Sequence, residues 1–268
     1  MNRLLLSLPL IAMLLVACGD NADTTNARPS SNQPPRALEN DSGLATRLTL
    51  AMAAPSRPAT DRALDATRRP VDVLEFMGIK AGMSVLDVNA AGGYYTELLA
   101  AAVGPSGKVY AQNDIQALEG RGGQIDHELT GRLAGNRLPN VVRLDADLAN
   151  LELEQELDAA VLMLTLHDLY NFGGEAATIE LLRRIREALK PGAVLGVVDH
   201  VGELDRSADA RELHRIEEGM ATRLLEAAGF TIEARSDVLR NPQDTHDQSV
   251  FHESVRRRTD RFVVRARA

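Results

Sequence analysis

The chain opens on an apolar run, LLLSLPLIAMLLVA after Met1-Asn2-Arg3, that ends against Cys18. A short positive start, about a dozen apolar residues and small residues before the cysteine predict a secretory signal over 1–17, too short to cross a bilayer comfortably. Residues 18–43 reverse the pattern. They are polar and proline-rich, with hardly an apolar side chain, so they cannot bury enough surface to fold and read as a tether with a reach of about 25–30 Å. From Leu44 to Met77 apolar positions recur at helical spacing, broken by Pro55, Pro58 and Pro70. Pro70 suits a first helical turn, which predicts a short helix ending near Gly78, a lid or leading helix to a domain over 44–268. Beyond it, short apolar runs alternate with amphipathic ones. Strands are expected at 84–88, 108–111, 141–144, 159–164, 194–198, 231–234 and 261–264. Helices are expected at 94–103, stopped by Gly104-Pro105, at 175–189 with Ile179, Leu182, Ile185 and Leu189 on one face, and at 209–228. This alternation predicts an α/β fold whose mainly parallel sheet is covered on both faces and joined by right-handed crossovers. Ligands of such sheets gather beyond the carboxyl ends of the strands.

Composition narrows the function classes. The 268 residues carry 38 acids against 30 bases, a net charge of −8, which removes a global electrostatic footprint for nucleic acid. The basic run Arg256, Arg257, Arg258, Arg261, Arg265 and Arg267 is the local exception. With 3% aromatics and no Trp, the core must come from Leu, Val, Ile and Ala, which suits helix-on-sheet packing. The single cysteine excludes an internal disulfide. Instead, Leu15-Val16-Ala17-Cys18 resembles the bacterial lipobox. That resemblance implies lipidation of Cys18 and a membrane contact through the lipid anchor, on the periplasmic side of the inner or outer membrane of the cell envelope.

Several segments stand in an order that resembles class I S-adenosylmethionine-dependent methyltransferases: VLDVNAAGGYYTELL, GKVYAQND, NVVRLDADL, LDAAVLMLTLHDLYN, LKPGAVLGVVDH, LLEAAGFTIEARSDVL and DRFVVRARA. GGYYTELLAAAVGPSGKVYA, HDLYN, LHRI and RTDRFV resemble more narrowly a subgroup of predicted bacterial methyltransferases. The resemblance implies a Rossmann-like, doubly wound sheet of seven strands, mainly parallel with the last antiparallel. It also implies S-adenosylmethionine as methyl donor and a small-molecule or envelope acceptor. The family pattern acid-x-Gly-x-Gly-x-Gly reads here Asp87-Val88-Asn89-Ala90-Ala91-Gly92-Gly93. Asp87 and Gly93 match, while Asn89 and Ala91 replace glycines. Asn tolerates a positive φ, so Asn89 is expected to keep the turn, whereas Ala91 adds a methyl where the ligand comes close. Asn113 and Asp114 stand where the family contacts the ribose, and Asp147 with Leu148 where it faces the adenine.

Proton-transfer candidates fall after the fourth and fifth strands, at His167-Asp168 and Asp199-His200. A neutral imidazole at His167 is expected as a base, with Asp168 and His200 beside it. His167, Asp168, Asp199, His200 and His214 also form a sensible metal-ligand set if they converge. No tight spacing such as His-x-x-x-His supports that, so hydrogen bonding rather than a metal is the expected outcome. The long polar stretch 240–262 is expected either to fold over the acceptor pocket, with Asp244, His246, Arg256 or Arg258 at the substrate, or to be a solvated surface loop. An exported domain meets no ready supply of a cytosolic cofactor. A non-catalytic lipoprotein that keeps the fold as a binding module is therefore the competing reading.

Overall fold

The computed structural model describes residues 43–151, 153, 156–203 and 210–268. The signal over 1–17, Cys18 and the tether up to residue 42 lie outside the described residues.

The centre of the parallel part of the sheet is β1 (Ser84–Val88), whose five residues are all buried. It pairs in parallel with β2 (Lys108–Asn113) on one side and β4 (Leu157–Met163) on the other. Outward from these lie β3 (Val141–Asp145) beside β2 and β5 (Leu189–Gly202) beside β4, both parallel. A two-residue strand, β6 (Ile216–Glu217), pairs with the end of β5. β8 (Arg261–Arg267) runs antiparallel between β5 and β7 (Thr231–Ser236), which gives the order β3-β2-β1-β4-β5-β8-β7. The expected mainly parallel sheet with an antiparallel last strand is present, with β6 as an unforeseen eighth strand among the described residues.

Alternation along each strand feeds two apolar layers. Leu86, Leu195, Val197, Phe262 and Val264 face α7 (Leu166–Glu187) and α9 (Glu218–Ala227). Val85, Val161, Val194, Val198 and Val263 face the opposite layer, which holds Leu48 of α1 (Leu44–Ala53), Val73 of α3 (Pro70–Phe76) and Leu98 of α4 (Tyr94–Val103). Pro70 does open a helix. The leading helices belong to that layer, while α2 (Ala59–Arg68) also borders the cleft described below.

Three helical expectations change. The segment between β2 and β3 folds as α5 (Ile115–Glu119) and α6 (Gln124–Leu133), which the sequence reading left unassigned. The helix expected at 175–189 starts at Leu166 and is interrupted at Gly174 (φ 79°, ψ 172°), so the HDLYN segment is helical. The helix expected at 209–228 divides into α8 (Ala210–Leu213), β6 and α9, because the Glu217 carboxylate caps α9 by accepting from the N–H groups of Gly219 and Met220 at 2.6 and 2.7 Å.

Candidate active site

The loop after β1 turns through left-handed backbone at Asn89 (φ 49°), Ala91 (φ 49°) and Gly93 (φ 83°). For a residue with a Cβ this conformation costs about 1–2 kcal/mol. The end of β2 holds it in place. Asn89 N–H donates to Gln112 Oε1 at 3.0 Å and Ala90 N–H to the Gln112 carbonyl at 2.8 Å. Ala91 N–H donates to Asn113 Oδ1 at 2.8 Å, and Asn113 Nδ2 donates back to the Ala91 carbonyl at 3.2 Å. Asn89 thus keeps the turn as expected, through partners 22 and 23 residues away. The two glycines make room for α6. A Cβ on Gly92 would collide with Glu128 Oε2, one on Gly93 would meet Arg132 Cδ at 2.9 Å, and Arg132 Nε donates to the Gly92 carbonyl at 2.6 Å.

Beyond the carboxyl ends of β1, β2, β4 and β5 opens a cleft of about 850 Å³. Asp87, Asn89, Ala91, Asn113 and Asp114 line it. Asp87 is buried and accepts from Thr96 Oγ1 at 2.7 Å. Burial raises its pKa to about 7 despite that hydrogen bond. Asn89 Nδ2 donates to Thr165 Oγ1 at 3.3 Å, while its Oδ1 is buried without a partner. The Asn113 amide is spent on Ala91. Asp114 accepts from Gln112 Nε2 at 2.8 Å and from the Leu148 N–H, and burial raises its pKa. Asp147 and Leu148 depart from expectation: neither lines the cleft. A 3-10 turn after Asp147 carries Leu148 into the core, and Asp147 is exposed.

The two His/Asp pairs meet crosswise. Asp199, at the end of β5, is wholly buried. Its Oδ1 accepts from His167 Nδ1 and from the His200 N–H, both at 2.7 Å, and its Oδ2 accepts from the His167 N–H at 2.8 Å. His167 Nε2 lies 3.2 Å from Asp168 Oδ1, which is 3.1 Å from His214 Nδ1. Burial alone would lower the His167 pKa, but Asp199 and Asp168 outweigh it and raise the value. The two carboxylates thus favour the charged form of the His167 ring over the neutral one expected of a base. His200 is the neutral ring: burial, then the positive charges of His167, Arg261, Arg215 and Arg68, push its pKa well below 6.5. Its Nδ1 is 2.7 Å from Thr259 Oγ1, a partner 59 residues away that nothing local in the sequence indicates.

Of the five metal-ligand candidates, His167, Asp168 and His214 bring their ligand atoms within 4.8 Å of one another. Asp199 stands behind His167, and His200 turns to Thr259.

The stretch between β7 and β8 packs as well as covers. Asp244 is buried in a two-pronged pair with Arg215, both contacts at 3.0 Å, and accepts the Asp260 N–H at 2.7 Å. It is therefore a strut, not a substrate contact. His246 is engaged by Glu203 and by Asp260, and Arg258 Nη2 donates to the Ser254 carbonyl at 3.2 Å. Arg256 of the expected four lines the cleft, joined by Arg257, Val250 and Phe251. Arg265 and Arg267 of the basic run pair with Glu233.

No family model and no curated protein matches this chain. Solved structures do. A SAM-dependent methyltransferase from Aquifex aeolicus is similar at 23% identity over 79% of this chain and 98% of that one, with a TM-score of 0.55. An S-adenosylmethionine-dependent methyltransferase from Mesorhizobium loti is similar at 18% identity over 76% of this chain and 100% of that one, with a TM-score of 0.52. The cyclase SpnF is similar at 18% identity over 84% and 92%, with a TM-score of 0.54. At these identities the likeness establishes the Rossmann-like methyltransferase fold, and the cyclase among the neighbours separates that fold from any one reaction.

Proposed function

We propose that this chain is an S-adenosylmethionine-dependent methyltransferase acting on a small-molecule or envelope acceptor, anchored through Cys18 in the bacterial envelope. The observation that carries the reading is the 850 Å³ cleft beyond the strand ends, lined by Asp87 and Asn89. The Asn89 Oδ1 is buried without a donor, so a small turn of the side chain offers it to a ligand. The ammonium of an amino-acid ligand supplies the donor, beside the Asp87 carboxyl. Asp114 is the carboxylate left for ribose hydroxyls, because Asn113 holds the loop. These residues fit the methionine and ribose ends of the cofactor, and the adenine end lacks Asp147 and Leu148.

When bound, the cofactor supplies an electrophilic methyl group; the chain must orient the acceptor and remove its proton. His200 suits that task. In the tautomer whose Nδ1–H donates to Thr259, Nε2 carries the lone pair, and the ring lines the cleft. His167 and Asp168 border the same wall as a fixed charged pair that positions the acceptor. The competing reading, a binding module that no longer transfers methyl groups, draws on the commitment of the Asn113 amide to Ala91 and on the position of Leu148 in the core.

Calorimetry on the full chain separates the two. Micromolar binding of S-adenosylmethionine or its demethylated product, weakened about tenfold or more in Asn89→Ala through loss of a hydrogen bond to a charged group, is expected. No heat at millimolar ligand would leave only the binding-module reading.

A further inference from the structure

The proton-transfer reading above uses His167 and Asp168 to position the acceptor and leaves out His214, which converges with them. We propose that these three residues bind a divalent transition-metal ion of the zinc class, leaving a further coordination position for water or an acceptor oxygen at the cleft. The spacing is that of a ligand set. Bonds of about 2.0–2.2 Å to a tetrahedral ion place neighbouring ligand atoms about 3.3–3.5 Å apart. Here His167 Nε2 and Asp168 Oδ1 are 3.2 Å apart, and Asp168 Oδ1 and His214 Nδ1 are 3.1 Å apart. The three ligand atoms all lie within 4.8 Å of one another, so the two rings close on Asp168 Oδ1 to take a metal.

The support behind His167 is an independent observation. Its Nδ1 faces the buried Asp199 carboxylate at 2.7 Å, which orients the ring with Nε2 toward Asp168, where a metal takes the place of the Nε2 proton. A carboxylate behind the imidazole is the usual outer-shell partner of a metal-binding histidine. Asp199 is itself held by the backbone N–H groups of His167 and His200 and cannot swing into the first shell. His214 is fixed from the other side. Phe251 packs edge-on against its ring at a centroid distance of 4.9 Å, and Phe172 at 5.9 Å.

The donor set also selects the ion. Two imidazoles and one carboxylate suit zinc, cobalt or another late first-row divalent ion, whereas magnesium and calcium prefer oxygen ligands throughout. Three protein ligands with a position left open is the arrangement of catalytic rather than structural zinc sites. His167 and Asp168 border the cleft with Phe172 and Phe251, whose rings are about half exposed, so an open position on the cleft side is reached from solvent. The site stands on ligand geometry and does not depend on which cofactor the cleft takes.

Cobalt(II) is the probe, because a low-coordinate cobalt site with nitrogen ligands absorbs visibly. The full chain is expected to bind one equivalent saturably with visible d–d bands. Asp168→Asn and His214→Ala should each abolish the bands. Asp199→Asn should weaken binding roughly 10–100-fold while leaving all three ligands in place, which a purely structural role would not produce. His127→Ala, an exposed histidine on α6, is the control and should bind as wild type. Circular dichroism checks the fold, and His214→Gln replaces any variant that fails to fold. No saturable cobalt binding, or bands of unchanged intensity and affinity in a folded His214 variant, would overturn the site.

Discussion

At Ala91 a methyl group sits on backbone at φ 49°, a conformation that favours glycine. The hydrogen bonds from Asn113 hold it there, so the strain is local and its relief is measurable. Ala91→Gly is expected to raise stability by about 0.5–1 kcal/mol in urea unfolding, the conformational gain less the added entropy of an unfolded glycine. A loss of stability would mean the methyl contributes packing that outweighs the strain. Asp87 gives a pH signature. Its folded pKa is about 7 against an ordinary 3.8, so the folded state binds its proton more tightly than the unfolded chain does. Stability from this group therefore falls as pH rises from about 4 to 7 and is level above that, by at most ~4 kcal/mol at about 1.4 kcal/mol per pKa unit. Asp87→Asn should remove the dependence. The stability difference between wild type and variant, measured at pH 4.5, 6 and 8, should run against wild type as pH rises; a flat difference would place the Asp87 pKa near its ordinary value. The role of Asn89 was legible because asparagine tolerates the left-handed region on its own account. The clamp by Gln112 and Asn113 was not, because those side chains act on backbone 22 and 23 residues away.

Among the elements, strands were read more surely than helices. Aliphatic runs such as Val85-Leu86 and Val194-Leu195 can be satisfied only inside a sheet covered on both faces, so their pattern carries the tertiary fold with it. Helices that serve the site obey other demands. α6 carries Glu128 and Arg132 onto the Gly92-Gly93 turn, and its apolar face is thin, which left it unassigned. The first two turns of α7 present His167 and Asp168 to the cleft, so their polarity resembles a loop until Gly174 ends that segment. Asp244 and Arg215 show the same conflict. Asp244 was expected at the substrate or on a solvated loop, yet it and Arg215 are buried, because each is bonded by the other and by nearby backbone.

At the scale of the whole molecule, the described domain is one sheet with two apolar layers, and its cleft lies at one end of the strands. No helix among the described residues is long and apolar enough to cross a membrane. Attachment, in the proposal above, rests on the segment before them. Cys18→Ala should move the protein from the membrane fraction to the soluble fraction of lysed cells. Persistence in the membrane fraction would assign attachment to something other than lipid on Cys18.

The sequence by itself determined the sheet and its mainly parallel order, and with them the end of the sheet where a ligand belongs. Those follow from alternation and run length, properties carried by neighbours along the chain. Only the tertiary structure decided which candidates meet. It paired His167 with Asp199 rather than with its neighbour alone, set His200 on Thr259, and brought His214 to Asp168. It also withdrew Leu148 and Asp244 into the interior. Groups 16 to 59 residues apart are joined by the crossing of strand ends and loops, and the charge and exposure of these side chains are fixed by partners distant in the sequence.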